Sequence, residues 1–305
     1  GVARTPGGGL TFPAMRPMKL SIRPTGAALG AAILAVDLAR PLDDETFRAI
    51  EAAWHEHEVI FFRGQDLAPE QHIAFSRRFG ALEHHVRQDC CKPGYPEIFV
   101  VSNVIENGRP IGSQDAGLFW HSDLCYKSEP SRGSLFYARE VPHADDGSPL
   151  GDTVFASMTA AYRALPEYVR RAIDGRKAVN SYLHGYYRDR KSGPRKELTE
   201  EQKRKTPDVE HPVARTHPAT RKKCLFTCEG YTTRIAGLDE TESAALLAGL
   251  FEHLKKPEFL YRHKWQVGDL LMWDNCSTQH LAIPDYALPQ RRRMERTTLA
   301  GTAPY

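Results

Sequence analysis

The chain has 305 residues, 41% of them hydrophobic, with a formal net charge of +3 and a pI near 8.5. That length can bury a substantial core in one domain, and the charge is too mild to point to nucleic acid. No apolar run reaches about 18 residues, so no transmembrane helix is expected.

Gly1 to Pro17 is rich in glycine, proline and small residues and holds no apolar segment of signal-peptide type. It is expected to be a flexible N-terminus, leaving one domain over 18–305. Lys19 to Val36 reads as two short strands around Gly26 and Gly30. A helix opens near Asp43 and Asp44, with Phe47, Ile50 and Trp54 on its apolar face. Val59 to Phe62 reads as a buried strand, Pro69 to Phe79 as a second helix with proline in its first turn, and Glu97 to Ser102 as a strand. Further strands are predicted at Ser134 to Arg139, Asp152 to Phe155, Phe259 to His263, Leu270 to Trp273 and Met294 to Leu299. Helical periodicity covers Met158 to Ala172, interrupted at Pro166, and Asp239 to Leu254. Many short strands, few helices and no βαβ alternation predict a mainly β fold, an antiparallel barrel or jelly roll with helices packed outside.

Two further stretches bear on function. Arg188 to Asp208 is dense in Arg, Lys and Glu, either a solvated excursion or a lid loop over a site (188–208). The six cysteines, Cys90, Cys91, Cys125, Cys224, Cys228 and Cys276, include no Cys-x2-Cys pair. They read as free thiols in a reducing cytoplasm.

The sharpest chemical feature is Phe119-Trp120-His121-Ser122-Asp123. On an extended strand, residues two apart point to one face, so the His121 imidazole and the Asp123 carboxylate can converge on one ion. His280, just after the apolar run ending at Trp273, is the best candidate for a third ligand. Two histidines and one carboxylate form the facial triad of non-haem Fe(II) oxygenases. Downstream, Arg291-Arg292-Arg293-Met294-Glu295-Arg296 places Arg292 and Arg296 on one strand face, suited to paired binding of carboxylates.

These motifs, in this order, resemble the taurine dioxygenase family, the 2-oxoglutarate-dependent family that includes the aryloxyalkanoate (phenoxy-herbicide) dioxygenases. The resemblance rests on Trp120-His121-Ser122-Asp123, Gly151-Asp152-Thr153, Trp273-Asp274-Asn275 with Gln279-His280, and Arg292 with Arg296-Thr297. Val59-Ile60-Phe61-Phe62-Arg63-Gly64-Gln65 and His211-Pro212-Val213-Ala214-Arg215-Thr216-His217-Pro218 add to it. It runs from about Leu20 to about Pro304.

The resemblance implies a double-stranded β-helix (jelly roll) and an Fe(II)- and 2-oxoglutarate-dependent dioxygenase using O2. His121, Asp123 and His280 would be the metal ligands. Thr153 and Arg292 would hold the far carboxylate of 2-oxoglutarate. Arg296 would anchor the substrate's carboxylate or sulfonate, with His85 and Tyr231 beside it. The expected substrate is a small organic acid, hydroxylated with or without later C–O, C–N or C–S cleavage. The expected assembly is a homo-oligomer, dimer to tetramer, with no nucleic-acid or membrane partner. Gln88 stands where the family has an aromatic residue and Cys228 where it usually has asparagine, which argues against taurine itself. The alternative is a metal-dependent hydrolase or ring-cleaving dioxygenase using the same triad without 2-oxoglutarate; it leaves Thr153 and Arg292 without a role.

Overall fold

The computed structural model describes residues 20–85, 87–114, 117–188 and 197–305. The stretch 1–17, expected to be a flexible N-terminus, lies outside them, as do residues 189–196 of the 188–208 loop. The fold is mainly β with flanking helices. A large sheet runs in the order Ser21–Pro24, Ala31–Leu34, Val59–Phe62, Leu270–Asp274, Gly133–Glu140, Arg293–Leu299, Tyr95–Ser102 and Cys91–Lys92. Its pairings are antiparallel except between Ala31–Leu34 and Val59–Phe62. A smaller antiparallel sheet places Thr153–Ser157 between Leu260–His263 and Thr278–Ala282.

The period of two along each strand explains how the layers meet. Leu270 and Met272 pack with Ile60, Phe62, Leu135 and Tyr137 on one face of the large sheet. Helices Asp44–His57 and Pro69–Arg77 cover that face through Ile50, Trp54 and Phe75. Leu271 and Trp273 point the other way, with Phe61, Phe136, Ala138 and Met294, and meet Phe155 of the smaller sheet. Both faces of Leu270–Asp274 are therefore buried, which is why Leu-Leu-Met-Trp is an unbroken apolar run rather than an alternating one. Each such side chain contributes roughly 1.5–3 kcal/mol on burial. A third apolar cluster lies under helix Glu240–Leu254.

The predicted helices begin and break where local signals say they should, although the second ends at Arg77, short of the expected Phe79. The Asp43 carboxylate accepts from Thr46 N at 2.7 Å and starts the first. The periodic stretch from Met158 breaks into Met158–Arg163 and Glu167–Ile173 on either side of Pro166. Three expectations differ. First, the segment His121 to Asp123 is not a strand. His121 makes a single antiparallel bridge to His280, and the chain then turns at Leu124 with φ +56°. Second, the 188–208 excursion has structure of its own. Helix Glu200–Arg204 is closed by a capping box, with Gln202 N donating to Thr199 Oγ1 and the Gln202 amide oxygen accepting from Thr199 N. Third, the strands Lys177–Asn180, Val209–Pro212 and Thr232–Ile235 escaped the sequence reading. They are short, and their alternation is too brief to stand out. All six cysteines are free thiols. No helix among the described residues is long and apolar enough to cross a membrane.

Candidate metal and co-substrate site

The His121–His280 bridge builds the centre of the site. His121 N donates to His280 O at 3.2 Å and His280 N to His121 O at 3.0 Å, which brings the two rings to 4.1 Å between centroids. His280 lies on Thr278–Ala282, opposite Phe155, and its ring packs against Trp273 and Phe155. Burial, with the nearby His121, pulls the His280 pKa well below its usual value, so the ring is a neutral donor. His121 Nδ1 donates to Phe119 O at 2.8 Å, and its Nε2 lies 3.7 Å from Asp123 Oδ1.

Asp123 is held from three directions. Asn275 Oδ1 accepts from its backbone N–H, and Asn275 Nδ2 donates to its carbonyl. Ser134 Oγ donates to Oδ2 at 3.0 Å. Arg296 reaches both oxygens through one guanidinium nitrogen, at 3.2 and 3.4 Å. Strand register places these partners: Arg296 faces Phe136 and Thr298 faces Ser134 across the sheet, so Ser134, Phe136 and Arg296 share the inner face. Burial favours the protonated acid, but the Arg296 guanidinium opposes it and holds the Asp123 pKa well below the carboxylate range.

One ligand atom from each of His121, Asp123 and His280 lies within 4.8 Å of the others. Two imidazoles and an ionised carboxylate, all buried and all lining one cavity of about 160 Å³, fit the donor set of iron(II). A second group, His217, Asp274 and Cys276, is also compact, but its acceptors are already engaged. His217 Nε2 meets Asp274 Oδ2 at 2.8 Å, and His217 Nδ1 accepts from Ala219 N and Thr220 N. Asp274 Oδ1 accepts from Cys276 N and Ser277 N. This cluster braces the turn that leads into the His280 strand.

The far wall of the cavity suits a carboxylate. Arg292 is 3% exposed and makes no ion pair among the described residues; one guanidinium nitrogen donates to Gly151 O at 3.3 Å. The Thr153 hydroxyl accepts from Trp265 Nε1 at 3.1 Å, which leaves its own O–H to donate. Both line the cavity with the triad. A buried guanidinium without a carboxylate is costly unless an anion joins it, so these residues fit the distal carboxylate of a dicarboxylic co-substrate.

His85, Tyr231 and Arg296 also line this cavity. His85 stacks on Phe99, with centroids 4.1 Å apart. Burial and then the Arg296 charge pull its pKa down to about 4. His85 Nδ1 accepts from Arg87 N, so the proton sits on Nε2 of a neutral ring. Arg296 Nε is buried without a partner among the described residues. Gln88 points elsewhere, its amide donating to His85 O.

Comparison with known proteins decides the family. Residues 21–298 match the model of the taurine catabolism dioxygenase TauD, TfdA family. The chain belongs to this family. TauD/TfdA relatives include the alpha-ketoglutarate-dependent 2,4-dichlorophenoxyacetate dioxygenase of Cupriavidus pinatubonensis, 34% identical over 94% of this chain and 99% of that protein. The alpha-ketoglutarate-dependent sulfate ester dioxygenase of Pseudomonas putida is 32% identical over 94% and 91%. Among solved structures, AAD-2 in complex with Mn(II) and N-oxalylglycine matches with TM-score 0.78 and 32% identity, covering 94% of this chain and 99% of that one.

Sequence reasoning missed three contributors: the Asn275 clamp, the Ser134 hydroxyl and the walls Phe99, Tyr126 and Tyr182. Asn275 stood inside a quoted motif. Nothing local marks Ser134, which reaches Asp123 only through sheet register.

Proposed function

We propose that this protein is an Fe(II)- and 2-oxoglutarate-dependent dioxygenase that hydroxylates a small organic acid. The observation that carries this reading is one cavity lined by His121, Asp123 and His280 together with the buried Arg292, which makes no ion pair among the described residues. Iron(II) bound with 2-oxoglutarate supplies dioxygen activation for C–H hydroxylation. The chain's own residues set the geometry. His121, Asp123 and His280 hold the metal on one side. Arg292 and Thr153 bind and orient the far carboxylate of 2-oxoglutarate. Arg296 and the neutral Nε2–H of His85 hold the substrate's carboxylate or sulfonate. Phe119, Tyr231 and Trp273 exclude water.

In this reading the large sheet facing the small one is a double-stranded β-helix, and residues 18–305 work as one domain. A reducing cytoplasm suits six unbridged thiols, and a homo-oligomer is the expected assembly. Hydrolysis or ring cleavage without 2-oxoglutarate is not retained, because it gives Arg292 and Thr153 nothing to bind and the relatives named above are alpha-ketoglutarate-dependent.

The test is anaerobic titration with Fe(II) and then 2-oxoglutarate, followed by visible absorption. The expected result is a weak charge-transfer band that needs both additions and is lost in His121→Ala. Iron binding without a band would overturn the 2-oxoglutarate assignment.

A further inference from the structure

The 160 Å³ cavity is not the end of the open space. A larger one of about 720 Å³ continues from it, sharing His85, Phe99, Asp123, Leu124, Tyr126, Tyr182 and Arg296 as common wall. The residues divide between the two spaces. Arg292, Thr153, His121 and His280 line only the smaller cavity, while Asp123, Arg296 and His85 line both.

The far wall of that cavity comes from the charged excursion after residue 196. Leu198, Pro207 and Val209 line it. This stretch is otherwise dense in Lys, Arg and Glu; Gln202, Lys205 and Thr206 line the cavity beside these three, of which Leu198 is buried and Val209 half-buried. Leu198 is held there by Tyr187, whose hydroxyl accepts from Leu198 N at 3.1 Å, and Tyr187 in turn donates to Glu197. Across the cavity stand Phe99, Leu124, Tyr126 and Tyr182. Of the charged groups that line it, Lys127 pairs with Glu83, Lys205 with Glu201 and Glu97 with Arg77, while Glu129 makes no ion pair among the described residues. The unengaged charge-bearing donor at the junction is Arg296 Nε.

Size and polarity limit the occupant. At ~30 Å³ per water, the space corresponds to about two dozen waters, more than a single aromatic ring fills. Phe99, Leu124, Leu198, Pro207 and Val209 offer an apolar body a surface to lie against.

Resting on the function proposed above, we propose that the prime substrate is an amphiphilic acid. Its anionic head sits at Arg296 and His85, and an elongated aliphatic body, on the order of ten carbons, lies against Leu198, Pro207 and Val209. The 198–209 segment then sets which chain lengths are accepted, while the triad and Arg292 do not distinguish them.

The experiment uses the full chain loaded anaerobically with Fe(II) and 2-oxoglutarate. A series of straight-chain carboxylates and alkyl sulfates from four to fourteen carbons is titrated calorimetrically, and substrate-stimulated succinate is then measured in air. The expected result is a Kd that falls about threefold to fourfold per added methylene until the cavity is full. Val209→Trp, which fills the cavity, is expected to move the optimum to shorter chains; Leu198→Ala is expected to weaken the long members about tenfold or more. Melting curves of both variants check that they fold. A Kd independent of chain length in the wild-type protein would overturn the proposal, as would an optimum at a single-ring acid that Val209→Trp leaves in place. The charge-transfer band separates the two levels. If it forms and chain length is without effect, only the substrate class is wrong; if it never forms, the oxygenase reading falls first.

Discussion

Asn275 and Asp123 are joined by two reciprocal hydrogen bonds: Asp123 N donates to Asn275 Oδ1 at 2.7 Å, and Asn275 Nδ2 donates to Asp123 O at 2.8 Å. The same amide also donates to Ser131 O at 2.9 Å. One buried side chain therefore locks the turn carrying Asp123 to the turn leading into His280. Asn275→Ala removes the clamp while leaving all three proposed ligands in place. The expected outcome is a loss of about 10–100-fold in Fe(II) affinity, read by anaerobic metal titration. Unchanged affinity would show that the carboxylate is positioned by Ser134 and Arg296 alone.

Gly151 has φ +73°, and a Cβ there would lie 2.8 Å from Arg292 Nε and 2.9 Å from its Cδ. Gly151→Ala must therefore strain the backbone and displace the guanidinium. The 2-oxoglutarate dissociation constant is expected to rise about tenfold or more, a shift of about 1.4 kcal/mol, with iron binding nearly intact. Equal weakening of both would mean that the damage spreads beyond the co-substrate end.

Arg296 touches Asp123 and lines the cavity, where the substrate's acid group is proposed to bind. Arg296→Ala is expected to lower kcat/KM for an acid substrate by about 10²–10³-fold, equivalent to roughly 3–4 kcal/mol. Arg296→Lys is expected to recover only part of this, because an ammonium cannot match the planar fork. Steady-state kinetics on an acid and its neutral amide would decide the matter. If the variant treats both as the wild-type protein does, the anchor assignment is wrong.

Glu58 follows helix Asp44–His57 with φ +63°. Burial raises its pKa to about 7, with hydrogen bonds from Thr159 and Ser157 opposing that rise. The folded state therefore keeps a proton that the unfolded chain releases near the ordinary value of 4.5. Stability from this group is full below pH 4.5, declines as pH rises through about 7, and is flat above. Glu58→Gln removes that decline. The variant should gain on the wild-type protein by up to ~3 kcal/mol between pH 5 and pH 8, measured by urea unfolding at both. Parallel pH profiles would rule out a buried, protonated Glu58.

Much of the site was legible in the linear chain because its chemistry needs particular residue types at particular spacings. His121 and Asp123 stand two apart, His280 follows an apolar strand, and Arg292 and Arg296 stand four apart. The helices were readable for a similar reason: periodicity, a capping Asp43 and the break at Pro166 are local signals. The expected strand at His121 to Asp123 was wrong in conformation. The bridge to His280 and the turn at Leu124 do the aligning instead, and a bridge to a residue 159 positions away has no local mark.

By itself, the sequence determined the mainly β class and where the predicted helices begin, since these depend on neighbours a few positions apart, and it put forward His121, Asp123, His280, Arg292 and Arg296 as candidates by residue type. Only the tertiary structure decided that Ser134 and Asn275 hold Asp123 and that Arg296 pairs with it. It alone also brought Leu198 and Val209 of a charged segment to the wall of the larger cavity. These are contacts between distant strands and turns, set by sheet register and by the packing of two layers, and hydrogen-bond partners far apart in sequence become visible only once that register is fixed.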